Sequence, residues 1–323
     1  MIVVTGCAGF IGSNLVDRLL SLGHKVIGLD NFSTGQPNFI EHLSLNPNFT
    51  FFEQDLATPD RLSKIFTNAN IIFHLAANAD IRDGLNHPFK DLEQNTLATF
   101  NVLEAMRAAN VKRIVFSSTA AALGEPEIFP TPESCPIPIQ TSLYGASKMA
   151  CEGLISSYCE GFGFEGYVFR FVSILGPRYP HGHVFDFVKQ LLENKNKLVI
   201  LGDGTQRKSY LHVSDCVNAL IKIGDDVRTA KNAKHRFQTY HLGVDDYCRV
   251  SQSADWIIDE LKLSPKIEYT GGNRGWVGDN PFVFLDVKKA ISTGWTPKFG
   301  IEESIRETVR WLVSNQWIFK QRV

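Results

Sequence analysis

The chain has 323 residues, of which 44% are hydrophobic and 21% are charged, which is ordinary for a globular protein with a large core. Its 33 basic and 34 acidic side chains leave a net charge of −1, which excludes binding to nucleic acid or to an anionic membrane through bulk charge. The sequence contains no apolar run of the roughly 18 residues that a membrane span needs, so none is predicted.

The first half of the chain alternates short β-branched runs with helical patterns. Six strands are predicted, at Ile2–Thr5, Lys25–Leu29, Phe49–Glu53, Ile71–Leu75, Arg113–Ser117 and Gly166–Phe171. Four helices are predicted between them, at Gly12–Leu22, Pro59–Phe66, Asn95–Ala109 and Tyr144–Cys159. Strands separated by helices form right-handed βαβ units, which build a parallel sheet covered on both faces. The sequence therefore predicts an α/β fold with a doubly wound parallel sheet of the Rossmann type.

The pattern changes after about residue 171. A loop begins at Gly176, a helix is predicted at Val184–Glu193, strand and turn residues follow at Leu198–Gly204, and the last helix is predicted at Ile301–Asn315. We expect a first domain over residues 1–172 and a smaller mixed α/β lobe over residues 173–323, with parts of 205–260 returning to the first domain.

Three glycines stand in the segment TGCAGFIG, between the first strand and the first helix. Gly6 permits a tight turn, Gly9 lets the backbone approach a pyrophosphate, and Gly12 lets the helix pack closely on the strand. The free N–H groups of the first helical turn, where Phe10 and Ile11 lie, favour negative charge. This pattern in this context predicts a dinucleotide site in the first domain.

An acidic residue, Asp30, ends the second strand. A carboxylate at this position accepts hydrogen bonds from the ribose hydroxyls of adenosine and repels a 2′-phosphate, so NAD is expected rather than NADP. The residues that follow include no Arg or Lys that could receive a phosphate, and they are expected to line the same site: Asn31, Ser33, Thr34 and Gly35.

The ends of the third and fourth strands are expected to add further cofactor contacts. These residues are Asp55, which could meet the adenine amino group, and the apolar or small residues Leu56, Leu75, Ala76 and Ala77. His74 lies on an apolar strand, and we interpret it as a hydrogen-bonded core histidine rather than a catalytic group.

Tyr144 and Lys148 stand four residues apart at the start of a predicted helix and therefore share one face. A free tyrosine is a poor base at neutral pH, but a nearby ammonium and a nicotinamide cation would favour its phenolate form. Ser117 and Thr119 end the fifth strand, at the sheet edge where such folds bind ligands. We expect the Thr119 hydroxyl to share a substrate proton with Tyr144, and Lys148 also to bond the nicotinamide ribose.

These motifs resemble the nucleotide-sugar epimerases of the extended short-chain dehydrogenase/reductase family. The resemblance covers nearly the whole chain and includes TGCAGFIG, DNFSTG, HLAA, SSTAAALG, YGASK, FRFVSILGPR, LGDGTQRKSYLHVSD and GWTP. It implies NAD-dependent epimerisation at C4 of a nucleotide-linked sugar, a UDP sugar above all, through a 4-keto intermediate. It assigns the chemistry to Thr119, Tyr144 and Lys148 and adds Asn95 to the NAD contacts.

The same resemblance implies a set of sugar-nucleotide contacts, with departures from the family pattern. The expected contacts are Ser118, Thr119, Ser173, Arg178, Val184, Lys208 and Arg274, with Arg207 as a further cation. Ser173 replaces an Asn of the family, Lys208 replaces a phosphate-binding Arg, and Arg274 is displaced by two residues from the family's Arg. Leu123 replaces a tyrosine that often lines the sugar pocket.

Four other functions are weighed against epimerisation. The related 4,6-dehydratases carry an Asp-Glu pair directly after the threonine, and the related decarboxylases carry a Glu, whereas this chain has Ala120 and Ala121. A one-way nucleotide-sugar reductase or dehydrogenase would use the same three residues and stays open. A non-catalytic NAD-binding sensor is less favoured, because such proteins usually lose the Tyr or the Lys.

The resemblance also implies a homodimer, in which the helices at Asn95–Ala109 and Tyr144–Cys159 pair across a two-fold axis. The six cysteines show no spacing typical of a zinc site, so no metal is expected. Reduced thiols and a chain that opens on a strand, without the features of a signal peptide, favour a cytoplasmic location.

Overall fold

The computed structural model describes residues 1–81, 83–136, 139–224, 236–276 and 279–320. In these ranges no helix is long and apolar enough to cross a membrane, and no group of three or more His, Cys, Asp or Glu side chains is placed to hold a metal ion. All six cysteines are free thiols. The segment 205–260, parts of which are expected in the first domain, includes residues 225–235, which lie outside the described residues.

Seven of the strands form one parallel sheet. The full set of strands in the described residues, in chain order, is β1 (Ile2–Thr5), β2 (Val26–Asp30), β3 (Phe49–Glu53), β4 (Ile71–His74), β5 (Arg113–Thr119), β6 (Glu165–Phe171), β7 (Ser173–Leu175), β8 (Lys197–Ile200), β9 (Arg207–Lys208), β10 (Tyr210–His212), β11 (Phe237–Leu242), β12 (Cys248–Arg249), β13 (Lys266–Tyr269) and β14 (Phe282–Val283). The sheet order is β3-β2-β1-β4-β5-β6-β11, with every neighbouring pair parallel. The direction of winding reverses between β1 and β4, and sheets of this type bind ligands outside the carboxyl ends of the strands at that point.

Helices cover both faces of this sheet. The α-helices of the described residues, some of which lie on the smaller sheets, are α1 (Phe10–Ser21), α2 (Leu62–Ile65), α3 (Pro88–Asp91), α4 (Ala98–Ala108), α5 (Leu143–Phe162), α6 (His183–Glu193), α7 (Val213–Gly224), α8 (Val250–Glu260), α9 (Lys288–Ser292) and α10 (Ile301–Ser314). A π-helical segment, Leu92–Leu97, joins α3 to α4. The predicted doubly wound α/β fold is thus confirmed.

The core consists of two layers because successive side chains of a strand point to opposite faces. Ile2 and Val4 of β1 pack with side chains of α1 and α7, such as Leu15. Val3 packs with side chains of α2, α4 and α5, such as Val102. This alternation explains why strands that are apolar along their whole length lie in the middle of the molecule.

The boundaries of most predicted elements agree with the structure to within a few residues. The predicted helix Asn95–Ala109 is the main exception, since its first turn belongs to the π-helical segment and only Ala98–Ala108 is α-helical. The predicted helix Pro59–Phe66 is wrong in length, because only Leu62–Ile65 is helical. Sequence periodicity shows which side chains face the core but does not distinguish α-helical from π-helical turns.

The strands outside the main sheet form smaller sheets. β7 pairs with β10, β8 pairs with β13, and β9 lies between β12 and β14. These strands pack with α6, α8 and α10, whose apolar side chains join the large core cluster. β11 pairs instead with β6 at the edge of the main sheet, and α7 packs on β5, β6 and α1.

Candidate active site

The glycine loop follows β1 at the point where the sheet order reverses. Gly6 has a φ of +71°, and a Cβ atom there would lie 2.7 Å from the backbone nitrogen of Ala76. A Cβ at Gly12 would lie 1.9 Å from the Gly6 carbonyl oxygen, so α1 approaches the loop closely only because residue 12 has no side chain. Gly9 is the N-cap of α1 and offers no capping side chain, which leaves the first-turn N–H groups for a ligand.

Asp30 links the end of β2 to the glycine loop. Its Oδ2 accepts a hydrogen bond from the Ala8 N–H at 2.9 Å, and its Oδ1 accepts one from the Phe32 N–H at 2.9 Å. Burial raises the pKa of this carboxyl group, and the backbone hydrogen bonds oppose that shift. The turn after β2 folds over it, since a Cβ at Gly35 would lie 2.5 Å from Oδ1. A buried carboxylate beside the glycine loop fits an adenosine ribose with a free 2′-hydroxyl.

We expect Asp30 to make the protein prefer NAD over NADP by about tenfold or more, because a buried carboxylate repels a 2′-phosphate. Asp30→Asn keeps the size of the side chain and removes its charge, so it should reduce the difference in affinity between NAD and NADP. Isothermal calorimetry with each dinucleotide checks both statements. Equal affinities of the parent protein for NAD and NADP would contradict the assignment.

The other predicted cofactor residues lie at neighbouring strand ends. Asp55 accepts hydrogen bonds from the Asn31 amide at 3.1 Å and from the Ala57 N–H at 2.8 Å, which ties the ends of β2 and β3 together. Leu56 is buried in the core rather than open to a ligand. The residues after β4 are half-buried at the carboxyl edge of the sheet: Leu75, Ala76 and Ala77.

His74 is fully buried between two threonines. Its Nδ1 lies 2.7 Å from the Thr5 hydroxyl and its Nε2 lies 3.0 Å from the Thr99 hydroxyl. Burial lowers its pKa to about 3, so the imidazole is neutral. The prediction of a hydrogen-bonded core histidine is confirmed.

The structure brings Thr119, Tyr144 and Lys148 together at the end of β5. The Tyr144 and Thr119 hydroxyls are hydrogen-bonded, and the Thr119 hydroxyl also accepts a bond from the Ala121 N–H at 3.1 Å. Ser142 caps the helix by accepting a bond from the Gly145 N–H at 3.0 Å, so α5 begins where Tyr144 faces β5. Lys148 is buried and donates to the Ser117 carbonyl oxygen at 2.9 Å.

Burial dominates the ionisation of this pair. It raises the pKa of the Tyr144 hydroxyl well above its usual range, while the hydrogen bond with Thr119 acts in the opposite direction. Burial also lowers the pKa of the Lys148 ammonium to about 8. The Lys148 ammonium is directed at the Ser117 carbonyl, and the desolvation of Tyr144 is the larger effect. That Lys148 and a nicotinamide cation together favour the Tyr144 phenolate stays a prediction.

Asn95 belongs to a buried polar cluster beside α5. Its amide nitrogen donates to the Ser147 hydroxyl at 2.8 Å and to Asp91 at 3.3 Å, and its oxygen accepts a bond from the Asn78 N–H at 2.8 Å. The π-helical segment turns this side chain inward. Asn95 is predicted as an NAD contact, and in the structure it links α5, one residue before Lys148, to the segment that follows β4.

Ser118, expected to contact the sugar nucleotide, points away from Thr119 because neighbouring side chains of a strand alternate. Its hydroxyl donates to the buried Glu152 carboxylate at 2.5 Å. Glu152 also forms a two-bond ion pair with Arg170 of β6. Sequence reasoning missed this group, although a charged residue inside the apolar run of β6 was a usable signal.

The two cations expected to hold a pyrophosphate lie near each other around Asp279. Lys208 contacts the Asp279 carboxylate at 2.8 Å, and Arg274 donates to the Asp279 carbonyl oxygen at 2.9 Å. Arg274 also forms a two-bond ion pair with Glu125, which follows β5, at 2.5 and 2.9 Å. This segment of the lobe is therefore tied to the strand end that carries Thr119.

The remaining predicted substrate contacts are placed differently. Arg178 pairs with Asp17 of α1 at 2.7 Å, and its contact with the substrate stays a prediction. Val184 is fully buried in the core, so its side chain does not face a ligand. Ser173 is exposed at the start of β7. Arg207 lies 3.8 Å over the ring of Phe282, away from the Asp279 cluster that holds Lys208, because adjacent side chains of β9 alternate.

These residues fit a dinucleotide. The glycine loop forms a cradle that a Cβ at residue 6 or 12 would fill, and a buried carboxylate stands at the end of β2. The Tyr144 and Lys148 pair lies at the same sheet edge, on the other side of the switch point. The fold and the site define a Rossmann protein built to hold NAD beside a hydroxyl-bearing substrate.

Residues 2–243 match the NAD dependent epimerase/dehydratase family, and the chain belongs to this family. It is 33% identical to the putative UDP-glucose 4-epimerase of Methanocaldococcus jannaschii, over 98% of this chain and 99% of that protein. A crystal structure of a UDP-galactose 4-epimerase superposes with a TM-score of 0.87, at 35% identity, covering 98% of this chain and 99% of the other. The Thermus thermophilus UDP-glucose 4-epimerase in complex with NAD gives a TM-score of 0.82, at 29% identity, covering 100% and 99% of the two chains.

Proposed function

We propose that this protein interconverts the C4 epimers of a UDP sugar, with NAD as its cofactor. The observation that carries the proposal is the contact between the Thr119 and Tyr144 hydroxyls at the end of β5, one helical turn from the buried Lys148. The similarity to UDP-glucose and UDP-galactose 4-epimerases over nearly the whole chain supports it.

Tyr144 and Thr119 carry the proton transfer together. Tyr144 takes the proton of the sugar C4 hydroxyl and later returns it, while Thr119 shares that proton through its hydrogen bond. When bound, NAD supplies the hydride acceptor and donor at C4 and a positive charge that favours the Tyr144 phenolate. Lys148, held by the Ser117 carbonyl, orients the cofactor ribose. The 4-keto sugar must turn over between the two transfers, so the nucleotide has to be held elsewhere.

The residues that follow Thr119 in the sequence argue against elimination and decarboxylation as the main reaction. Ala120 and Ala121 follow Thr119 and carry no acid or base. A product assay separates the outcomes: the protein is incubated with NAD and each of UDP-glucose, UDP-N-acetylglucosamine, UDP-glucuronate and GDP or dTDP sugars, and the products are separated by chromatography. The proposal expects a 4-epimer at equilibrium without net reduction of NAD. Accumulation of an oxidised, dehydrated or decarboxylated product would identify another reaction of the family.

We propose that residues 1–172, with β11, hold NAD, and that most of 173–323 holds the sugar nucleotide. In this domain assignment Lys208 and Arg274 bind the pyrophosphate of the sugar nucleotide. Both cations are only partly buried, and the carboxylates of Asp279 and Glu125 already hold them in place.

Removing either cation should weaken substrate binding more than it slows the chemistry. Lys208→Met and Arg274→Met are each expected to raise KM for the sugar nucleotide about tenfold, the effect of losing one charge-assisted hydrogen bond, with kcat changed less. Lys266→Met removes an exposed cation from β13 and serves as the matched control. If steady-state kinetics show KM within twofold of the parent for both test variants, this location of the pyrophosphate is wrong.

We further propose a homodimer formed through α3, the π-helical segment, α4 and α5. These elements expose an unusual number of large apolar side chains, namely Phe89, Leu92, Leu97, Phe100, Leu143 and Phe162. Pairing of the same surface in two copies would bury them, as is common in two-fold symmetric dimers.

Light scattering at micromolar protein should therefore give twice the chain mass of 36.2 kDa. Phe100→Glu places a charge on the proposed surface and should give a monomer. Leu45→Glu, at an almost fully exposed leucine of another region, should not. A parent protein that scatters as a 36.2 kDa species would remove the proposal.

The six cysteines are all free thiols, as is usual in a reducing compartment. We propose a cytoplasmic location on this ground, which cell fractionation can test.

A further inference from the structure

A buried ion pair lies directly behind the residues assigned to catalysis. Arg170 of β6 donates to the two carboxylate oxygens of Glu152 at 3.0 and 2.7 Å, and both side chains are almost fully buried. Glu152 lies one helical turn after Lys148 on α5. The Ser118 hydroxyl completes the group by donating to Glu152 at 2.5 Å.

Burying two charges is costly, and apolar side chains of similar size would often give equal or greater stability. Stability alone therefore gives little reason for this group to exist. Its position suggests another reason, because its three members come from α5, β5 and β6. Two of these elements carry Thr119, Tyr144 and Lys148.

Ser118 is the link to the reacting groups. It stands between Ser117, whose carbonyl oxygen accepts the bond from Lys148, and Thr119, whose hydroxyl contacts Tyr144. Its own side chain points the other way, into Glu152. The bond to Glu152 therefore fixes the strand segment that presents both contacts to α5.

Glu152 also contributes charge near Lys148. The titratable groups that face Lys148 or stand beside it on its helix are Asp91 of α3, His74 of β4, and Tyr144, Cys151 and Glu152 of α5. Burial lowers the pKa of Lys148 to about 8, and Cys151, Glu152 and Asp91 act in the opposite direction. His74 is neutral at ordinary pH, and Arg170 is paired with Glu152.

We propose that Glu152 is a positioning residue for the reaction, which holds the end of β5 in place through Ser118 and supports the ammonium form of Lys148. This role rests on the proposed function, since it assumes that Thr119, Tyr144 and Lys148 carry the chemistry. Neither Glu152 nor Ser118 needs to touch the substrate.

Two variants separate the two effects proposed for Glu152, which are the positioning of β5 and the support of the Lys148 ammonium. Ser118→Ala keeps the ion pair and removes the link, so kcat should fall about tenfold through misplacement of Thr119 and Ser117, with KM nearly unchanged. Glu152→Gln removes a negative charge and lowers the pKa of Lys148. In the parent, activity should fall as pH rises through the pKa of Lys148. In Glu152→Gln the same fall in activity should occur about one pH unit lower.

The ion pair between Arg113 and Glu165 provides a matched control. It joins the same two strands at their amino ends, with distances of 2.8 and 2.9 Å, far along β5 from Thr119. Glu165→Gln should change neither kcat nor the pH profile.

A readout independent of turnover is the ¹³C NMR titration of lysine ε-carbons, with the Lys148 signal identified by its loss in Lys148→Met. The Lys148 titration should move to lower pH in Glu152→Gln and stay unchanged in Glu165→Gln. The proposal is overturned if Ser118→Ala keeps kcat within twofold of the parent, or if the Lys148 titration is the same in Glu152→Gln as in the parent. If Glu152→Gln does not fold, Ser118→Ala decides alone. A parent that converts no sugar nucleotide contradicts the proposed function, and the titration still tests the effect of Glu152.

Discussion

Tyr144→Phe should reduce turnover by about 10²-fold or more, because it keeps the ring and removes the oxygen that exchanges a proton with the substrate. NAD affinity should stay within a few fold of the parent, since the cradle of the glycine loop is distant in sequence and does not depend on this hydroxyl. Steady-state kinetics and calorimetry measure the two quantities on one preparation.

Tyr158→Phe is a suitable control for this variant. Tyr158 lies on the same helix and its hydroxyl donates to Glu104 at 2.6 Å, outside the Thr119 cluster. It should lose little turnover. Near-normal turnover of Tyr144→Phe would mean that another group is the base.

Gly12→Ala should abolish tight NAD binding with a single methyl group. The new Cβ would lie 1.9 Å from the Gly6 carbonyl oxygen, so α1 must move away from the loop whose N–H groups face the pyrophosphate. We expect the dissociation constant for NAD to rise about 10²-fold or more, as expected when overpacking costs a few kcal/mol at the binding loop.

Gly161→Ala distinguishes this local effect from a general effect of replacing glycine. A Cβ at Gly161 meets no atom within 4 Å, and the residue is exposed on α5. Alanine there should bind NAD normally and stabilise the fold by up to about 1 kcal/mol. Tight NAD binding by Gly12→Ala, measured by calorimetry, would show that the loop does not approach the cofactor.

The parts of the site that follow from strand ends could be predicted from the sequence. In a parallel sheet the carboxyl ends of the strands lie at a common edge, so the sequence alone places Gly6, Asp30, His74 and Thr119 along one edge of the sheet. The i,i+4 spacing of Tyr144 and Lys148 was equally informative. Local rules of this kind depend only on the period of the element and the order of the strands.

Partners that are distant in sequence could not be predicted in the same way. Arg178 pairs with Asp17, 161 residues away in the sequence, and the Asp279 carboxylate holds Lys208 from 71 residues away. A sequence pattern marks these side chains as charged but does not say which opposite charge the tertiary fold brings to them. The same reason applies to Glu152 as the partner of Ser118, although the alternation along β5 does show that Ser118 and Thr119 face opposite sides of the sheet.

The central claim is that C4 loses and regains the same hydrogen. The most direct test uses UDP-glucose carrying deuterium at C4, incubated with the protein and NAD in ordinary water, with the products examined by NMR and mass spectrometry. The 4-epimer should retain deuterium at C4, and no reduced NAD should accumulate. A 4-epimer with hydrogen from the solvent at C4, or a 4-keto product formed together with an equal amount of reduced NAD, would contradict the return of the same hydrogen to C4.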